Sequence, residues 1–507
     1  MEDHRYLYLG LALVSLFVVF ARRRRSAKAL PHGLRLPPGP WQLPVVGTLH
    51  HTMGKLPHHA MRDLARRYGP VMLLQNGEVP TVVVSSREAA REVMKTQDIV
   101  FATRKLSATL SAVSLGGRDL IIAPYGDHWR QLRKIATTKL LSTRRVLSFR
   151  TIREEEVAAM LRGCAVAAAE SRPVDMRELM CTLIADTTML AMMGVRCRDR
   201  EDLMRELDIG IKLVAGFNPT DLWPSSWIVS RLCGDLRRAE VTLEAVFRIL
   251  DGIIKEHLER MDANGSSGEV EDLLHVLLKI HKEGGQEMPL DMDVIKLVTF
   301  NIFAGSETTA PLLEWAVAEL IRNPRVMRRA TEEVRRAFGA HGSVREDRLP
   351  GKLPYLQLVI RETFRLHAPI PLLIPRASRE PCRLLGYDVP QGITVLVNAW
   401  AMGRDERYWP GDPEVFRPER FEVDGAADLR GNDFELVPFG AGRRMCPGMS
   451  FALCNIELAL ASLLFHFDWE ALSDPAKLDM TEEFGLVARR KGNLPLQPIL
   501  RVPVPEA

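Results

Sequence analysis

Phe439-Gly440-Ala441-Gly442-Arg443-Arg444-Met445-Cys446-Pro447-Gly448 carries three glycines, two arginines, one cysteine and one proline in a single short stretch. Glycine reaches backbone conformations closed to other residues and lets another surface come close, so this is a turning loop that can lie against a flat group. Cys446 precedes a proline and then a helical run from about Ser450. With proline at the first helical position, Cys446 falls at or near the helix N-cap. The positive helix end and its free N–H groups would stabilise a thiolate there. A thiolate between glycines and arginines suits a metal cofactor with anionic substituents. The competing reading is a buried free cysteine on a turn.

The chain around this stretch has 507 residues, 46% hydrophobic and 26% charged. That balance excludes disorder, collagen-like repeats and a multi-span membrane protein. Lys+Arg 68 less Asp+Glu 64 leaves +4, which gives no reason to expect nucleic acid as partner. The 7 cysteines follow no C-x-x-C spacing, so reduced thiols are expected, not a disulfide framework or a zinc finger.

At the N-terminus, Tyr6 to Ala21 is uncharged and nearly all apolar, and Arg22 to Arg25 follow at once. Sixteen helical residues span about 24 Å, nearly a bilayer core. Glu2 and Asp3 in front and four arginines behind are the wrong polarity for a cleaved signal peptide. Residues 1–25 therefore read as a signal anchor with the rest of the chain cytosolic, and residues 26–41, with Leu36-Pro37-Pro38-Gly39-Pro40-Trp41, as a stiff non-helical hinge. Residues 42–507 read as one large α+β domain, mainly helical with small sheets. Helical spacing marks Arg153–Ala169, Arg237–Met261, Asp291–Arg322 and Phe451–His466. Hairpins are expected about Asn76-Gly77 and about Pro390-Gln391-Gly392, and a surface loop over Ala263–Glu269.

Further motifs give the chain a likeness. FGAGRRMCPG fills every fixed position of F-x-x-G-x-R-x-C-x-G, the haem-binding signature of the cytochrome P-450 family. Trp129-x-x-x-Arg133 resembles that family's C-helix motif, and Ala304-Gly305-Ser306-Glu307-Thr308-Thr309 its oxygen-activation motif. Glu362-x-x-Arg365, Arg376 and Pro418-Glu419-Arg420-Phe421 resemble the later ones, in the family's order. The likeness covers essentially the whole chain and is nearest in wording to plant A-type microsomal members, including grass enzymes of specialised metabolism.

The resemblance implies a P-450 fold behind one N-terminal membrane helix, with haem b as cofactor and Cys446 as the iron's axial thiolate and metal ligand. An axial thiolate pushes electron density through iron and favours O–O cleavage. It implies Phe439, Gly442 and Gly448 as shapers of the cysteine loop, and Trp129, Arg133, Arg376 and Arg444 as partners of the haem propionates, arginine matching carboxylate geometry. Ala304 and Gly305 would let the macrocycle approach, and Glu307 and Thr308 would relay protons. A Thr hydroxyl there can also bond its own backbone and open the helix. Glu362, Arg365 and Arg420 read as folding residues.

The chain carries no dinucleotide fingerprint or P-loop, so electrons from NADPH are expected through NADPH–cytochrome P-450 reductase, with cytochrome b5 as a further donor. The basic Arg130, Arg133 and Lys134 suit an acidic donor protein. His50-His51 and His58-His59 lack carboxylate neighbours in sequence and are not read as a metal site. The segments placed around the pocket by analogy are apolar, including LSATLSAVSL, IPLLI and FGLV, and suit a lipophilic small molecule. The expected activity is monooxygenation at the endoplasmic reticulum membrane, with a terpenoid as first substrate class and an indolic or phenolic compound as second. A P-450-fold isomerase or dehydratase working without dioxygen, and a non-enzymatic haem protein, are the alternatives; the intact Glu307 and Thr308 argue against both.

Overall fold

A computed structural model describes residues 33–215, 217–264, 271–284, 290–423 and 425–505. The expected anchor, the first residues of the hinge and most of the Ala263–Glu269 loop lie outside them. Helices dominate: α1 (Pro57–Tyr68), α2 (Asp127–Ile135), α3 (Arg150–Ala169), α4 (Met176–Met193), α5 (Arg200–Val214), α6 (Asp235–Asn264), α7 (Met292–Phe303), α8 (Ser306–Arg322), α9 (Pro324–Phe338), α10 (Pro354–Leu366) and α11 (Met449–His466) are those that matter below.

The run expected as one helix over Asp291–Arg322 is two, parted at Ala304-Gly305. The cause is local. Gly305 N–H donates to Ile302 three residues back at 3.0 Å, and the hydroxyls of Thr308 and Thr309 both donate to the Gly305 carbonyl, at 2.9 and 3.3 Å. Pro311 brings no N–H to the Glu307 carbonyl one turn before it. The ladder is opened where the motif residues stand.

The larger sheet contains β1 (Val71–Asn76), β2 (Val79–Val84), β3 (Arg376–Ala377) and β4 (Thr394–Val397), in the order β1-β2-β4-β3. The Asn76-Gly77 hairpin is as expected, in register from Val71↔Val84 to Asn76↔Val79. The second hairpin is a correction. Tyr387–Val389 turns back at Leu385-Gly386, both at positive φ, to pair with Cys382–Leu384, and β4 beyond Gly392 runs parallel to β2. Two left-handed residues make the tight turn that matches strand twist, which leaves the apolar Thr394–Val397 free for the larger sheet. A second sheet joins β5 (Phe467–Ala471) and β6 (Pro495–Leu500) to Val174–Asp175. The segment from Leu36 to Trp41 is non-helical and lies along β1, the Leu73 N–H donating to the Pro38 carbonyl at 2.9 Å.

The core forms about α8, which packs on α4, α9, α10 and α11 through Leu313, Leu320, Leu356, Val359 and Leu460. Each such side chain contributes about 1.5–3 kcal/mol by leaving water. Within it, Arg365 grips Glu362 through Nε at 2.7 Å and Nη2 at 2.8 Å, both side chains wholly buried, and Arg420 Nε adds a third bond at 2.9 Å. One described helix, α11, is long and apolar enough to cross a membrane, but most of it is buried inside the protein.

Candidate functional site

The cysteine loop turns at Gly440 (φ +67°) and Gly442 (φ +68°). At Gly442 a Cβ would stand 2.2 Å from the Met94 carbonyl oxygen, so no other residue fits. The Cys446 N–H closes the loop onto the Phe439 carbonyl at 2.9 Å, and the Phe439 ring rests on Phe364 of α10, centroids 4.9 Å apart. Cys446 lies near the N-cap of α11, not at it: the N-cap is Gly448, and Met449 is the first helical residue. Cys446 has spent its N–H on Phe439 and Pro447 has none, so the helix starts later. The sulphur still receives the Gly448 N–H; burial pushes its thiol up, and that N–H and Arg133 pull it down. Cys446 is exposed by surface yet enclosed by protein, so the space it opens on is internal.

Around this loop Arg104, Arg376, Arg443 and Arg444 interact with two carboxylates, Asp98 and Asp119, and a fifth arginine, Arg133, faces Cys446. Arg376 donates to the Ala441 carbonyl at 2.8 Å and to Asp98 at 3.4 Å. Arg444 donates to the carbonyls of Ala102 and Ala123, both at 2.6 Å, and its Nη1 is buried without a partner. Burial first, then Arg376, pushes Arg444 down to about 9. Burial and the neighbouring Arg444 and Arg376 push Arg104 down as well. Guanidinium groups stay charged in proteins, so this region sets five cations, Arg104, Arg133, Arg376, Arg443 and Arg444, against two carboxylates, Asp98 and Asp119. Arg133 lies half-buried beside Cys446. Trp129 differs from the expectation of a propionate donor: its indole N–H goes to the Leu120 carbonyl at 3.1 Å, and its ring carries the Arg444 guanidinium at 4.0 Å. It positions Arg444.

The opened helix lies close by, since Ala304 and Phe451 in the first turn of α11 border one apolar cluster. Thr308 is half-buried, while Glu307 is buried and accepts a hydrogen bond from Arg489. Sequence reasoning passed over Arg104, Asp98 and Arg489, none of which carries a local signal. It also expected no carboxylate near His58 and His59, and the fold brings Glu482 there. His58 Nε2 lies 2.6 Å and His59 Nε2 3.6 Å from one Glu482 oxygen. The other oxygen accepts from Trp400 at 3.2 Å, and Arg404 lies near, so this carboxylate is already neutralised.

A sulphur on a glycine loop, ringed by unspent guanidinium charge and set beside an opened helix, fits a flat dianionic metal macrocycle held through sulphur. That is the donor set of a haem–thiolate protein. The family model for cytochrome P450 matches residues 37–496, and the chain belongs to the cytochrome P450 family. It is 43% identical to dolabradiene monooxygenase of Zea mays over 99% of each chain. It is 45% identical to desmethyl-deoxy-podophyllotoxin synthase of Sinopodophyllum hexandrum over 96% of each. A zebra fish cytochrome P450 structure solved with abiraterone shares the fold, with a TM-score of 0.74 at 24% identity over 88% of this chain and 99% of that one. The chain is a haem-dependent monooxygenase acting on lipophilic small molecules, and the family works with a redox partner.

Proposed function

We propose that this protein inserts one oxygen atom from dioxygen into a terpenoid-class lipophile, with Cys446 as the haem iron's ligand. The observation that carries the reading is the Cys446 sulphur, held by the Gly448 N–H within a ring of five arginines that Asp98 and Asp119 balance only in part. Bound haem supplies dioxygen activation, which thiolate ligation favours. The chain's own residues do the rest. Phe439, Gly442 and Gly448 hold the loop. Arg133, Arg376 and Arg444 offer cationic donors to the propionates, Arg104 adds a fourth, and Trp129 supports Arg444. Ala304 and Gly305 keep bulk away from the macrocycle. Thr308, its proton given to the Gly305 carbonyl at 2.9 Å, is ready to accept and pass protons from Glu307.

The terpenoid assignment rests on the apolar pocket segments and on the likeness to a monooxygenase named for a diene; the phenolic class is kept by the podophyllotoxin-type relative. Electrons come from NADPH through a membrane flavoprotein reductase. It would dock on the face with exposed Arg130, Lys134 and Arg443, where an open cleft is bordered by Tyr125, Trp129 and Gly442 of the loop. Residues 1–25 anchor the protein in the endoplasmic reticulum membrane, with residues 42–507 on the cytosolic side.

The test uses microsomes carrying the full chain and a plant reductase, with NADPH, isotopically heavy dioxygen and pooled terpenoids. The expected result is a product with one labelled oxygen, together with a thiolate-type carbon monoxide spectrum that Cys446→His abolishes. An unaltered spectrum in Cys446→His overturns the ligand assignment. Product formed without dioxygen uptake favours the isomerase reading.

A further inference from the structure

Asp98 stands between two arginines of very different exposure. Its Oδ2 accepts the Arg443 backbone N–H at 3.0 Å and Nη1 of the same residue at 2.8 Å. Its Oδ1 meets Nη1 of Arg376 at 3.4 Å, a longer and weaker bond. Asp98 and Arg376 are buried, with 6% and 5% of their side chains exposed, whereas Arg443 is 43% exposed. The carboxylate is held in place from both ends of its segment. Gln97 before it donates its backbone N–H to the Glu92 carbonyl at 2.8 Å and its side-chain amide to the Arg383 carbonyl at 2.6 Å. Phe101, three residues on, is wholly buried. A Cβ on Gly442 would stand 2.7 Å from Asp98 Oδ1, so the cysteine loop closes directly over this acid. One buried negative charge thus serves a cation at the surface and a cation inside.

We infer that Asp98 is a positioning residue that sets how much of the Arg376 charge reaches a haem propionate, and that Arg443 is the counterweight that holds Asp98 off Arg376. This rests on reading Arg376 as a propionate partner. Paired chiefly with Arg443, Asp98 leaves Arg376 a net cation. Positive charge beside the haem favours reduced iron, which carries one positive charge less than oxidised iron. Without the Asp98 charge, Arg376 belongs wholly to the propionate and reduced iron gains. Without the Arg443 guanidinium, Asp98 closes on Arg376 and cancels it, and oxidised iron gains. Arg444 also feels Asp98, but the Ala102 and Ala123 carbonyls hold it at 2.6 Å each, so it does not take the place of Arg443. The two substitutions therefore act with opposite sign, and the second acts through the first.

The experiment measures the haem midpoint potential by spectroelectrochemistry in the haem-loaded full chain, without substrate or reductase, at low and at high salt. Asp98→Asn is expected to raise the potential and Arg443→Met to lower it. Each shift should amount to a roughly threefold change in the ferrous-to-ferric ratio at fixed potential, about 30 mV for one electron. Asp98→Glu keeps the charge and should stay near the wild type. In the Asp98→Asn background Arg443→Met should add almost nothing. In the native background its shift should survive high salt, because the pair it acts through is buried.

Haem-to-protein ratios and carbon monoxide spectra report folding. Shifts of the same sign in Asp98→Asn and Arg443→Met overturn the inference. So does an Arg443→Met shift that is equal with and without the Asp98 carboxylate, since Arg443 then acts through space and not through Asp98. Should Asp98→Asn load no haem, the salt series on Arg443→Met still decides: a shift that high salt abolishes, or no shift, overturns the counterweight. A wild type that takes up no haem overturns the functional reading and this inference with it. A haem-loaded wild type whose variants leave the potential unmoved overturns the role of Asp98 alone.

Discussion

Gly442 and Gly440 share a left-handed backbone but differ in what surrounds them. A Cβ at Gly442 meets the Met94 carbonyl oxygen at 2.2 Å and Asp98 Oδ1 at 2.7 Å, whereas at Gly440 the nearest atom is Leu373 Cδ1 at 4.0 Å. Gly440→Ala should cost about 1–2 kcal/mol, the strain of the left-handed conformation alone. Gly442→Ala must also displace a backbone carbonyl, so it should cost more than about 2 kcal/mol and lower the haem bound per protein. Thermal melts and haem-to-protein ratios of the two variants check this, and equal losses would count against the close approach. At Arg444 the same scale shows a residue committed twice: two backbone carbonyls hold the guanidinium, and its buried Nη1 is still free for an outside acceptor.

At the scale of elements, the break between α7 and α8 is made by hydroxyls, not by glycine alone. Thr308→Ala removes one of the two side-chain bonds to the Gly305 carbonyl and, with it, the hydroxyl proposed as relay. It should retain haem and a normal carbon monoxide spectrum while releasing more NADPH-derived electrons as hydrogen peroxide, read as peroxide per NADPH consumed. Unchanged coupling would remove Thr308 from the relay. The start of α1 is tied to residues 481–491 by the bond between His58 and Glu482. Burial pushes Glu482 up, but the hydrogen bond from His58, with His59 and Arg404 close by, outweighs it and holds the carboxyl well below its ordinary range. Burial also lowers His58. An acid depressed on folding stabilises above its unfolded pKa and loses that stability as pH falls; a histidine kept neutral has the same sign. The melting temperature should therefore fall from about pH 6.5 downward, and Glu482→Gln should flatten the part below about pH 4.5.

For the whole molecule, the Glu362–Arg365–Arg420 network joins α10 to the Pro418–Phe421 turn, and Arg365 Nη1 also donates to the Pro413 carbonyl at 2.7 Å. Removing one partner strands buried charge at about 3–5 kcal/mol, a large part of the stability of an ordinary domain. Glu362→Gln should therefore fail to accumulate as haem-loaded protein, measured as carbon monoxide difference absorbance per milligram expressed. Charge reversal of Arg130 and Lys134 should leave that absorbance intact, raise the KM for reductase and weaken its salt dependence.

What could be read in the chain alone was what neighbours in sequence settle among themselves. The glycine–cysteine loop, the periodic helices α3, α6 and α11 and the Asn76-Gly77 hairpin follow from backbone preference and spacing over a few residues. So does the helix disturbance at Thr308, whose partner is three residues away. The tertiary structure decided the contacts that chain distance hides. It put Thr394–Val397 beside β2 and set Asp98 between Arg376 and Arg443. It brought Arg489 to Glu307 and Glu482 to His58, separations of 182 and 424 residues. A charged side chain carries no mark of its distant partner. The choice belongs to the packing of the helices and loops that bear them, where burial makes an unpaired charge too costly to keep.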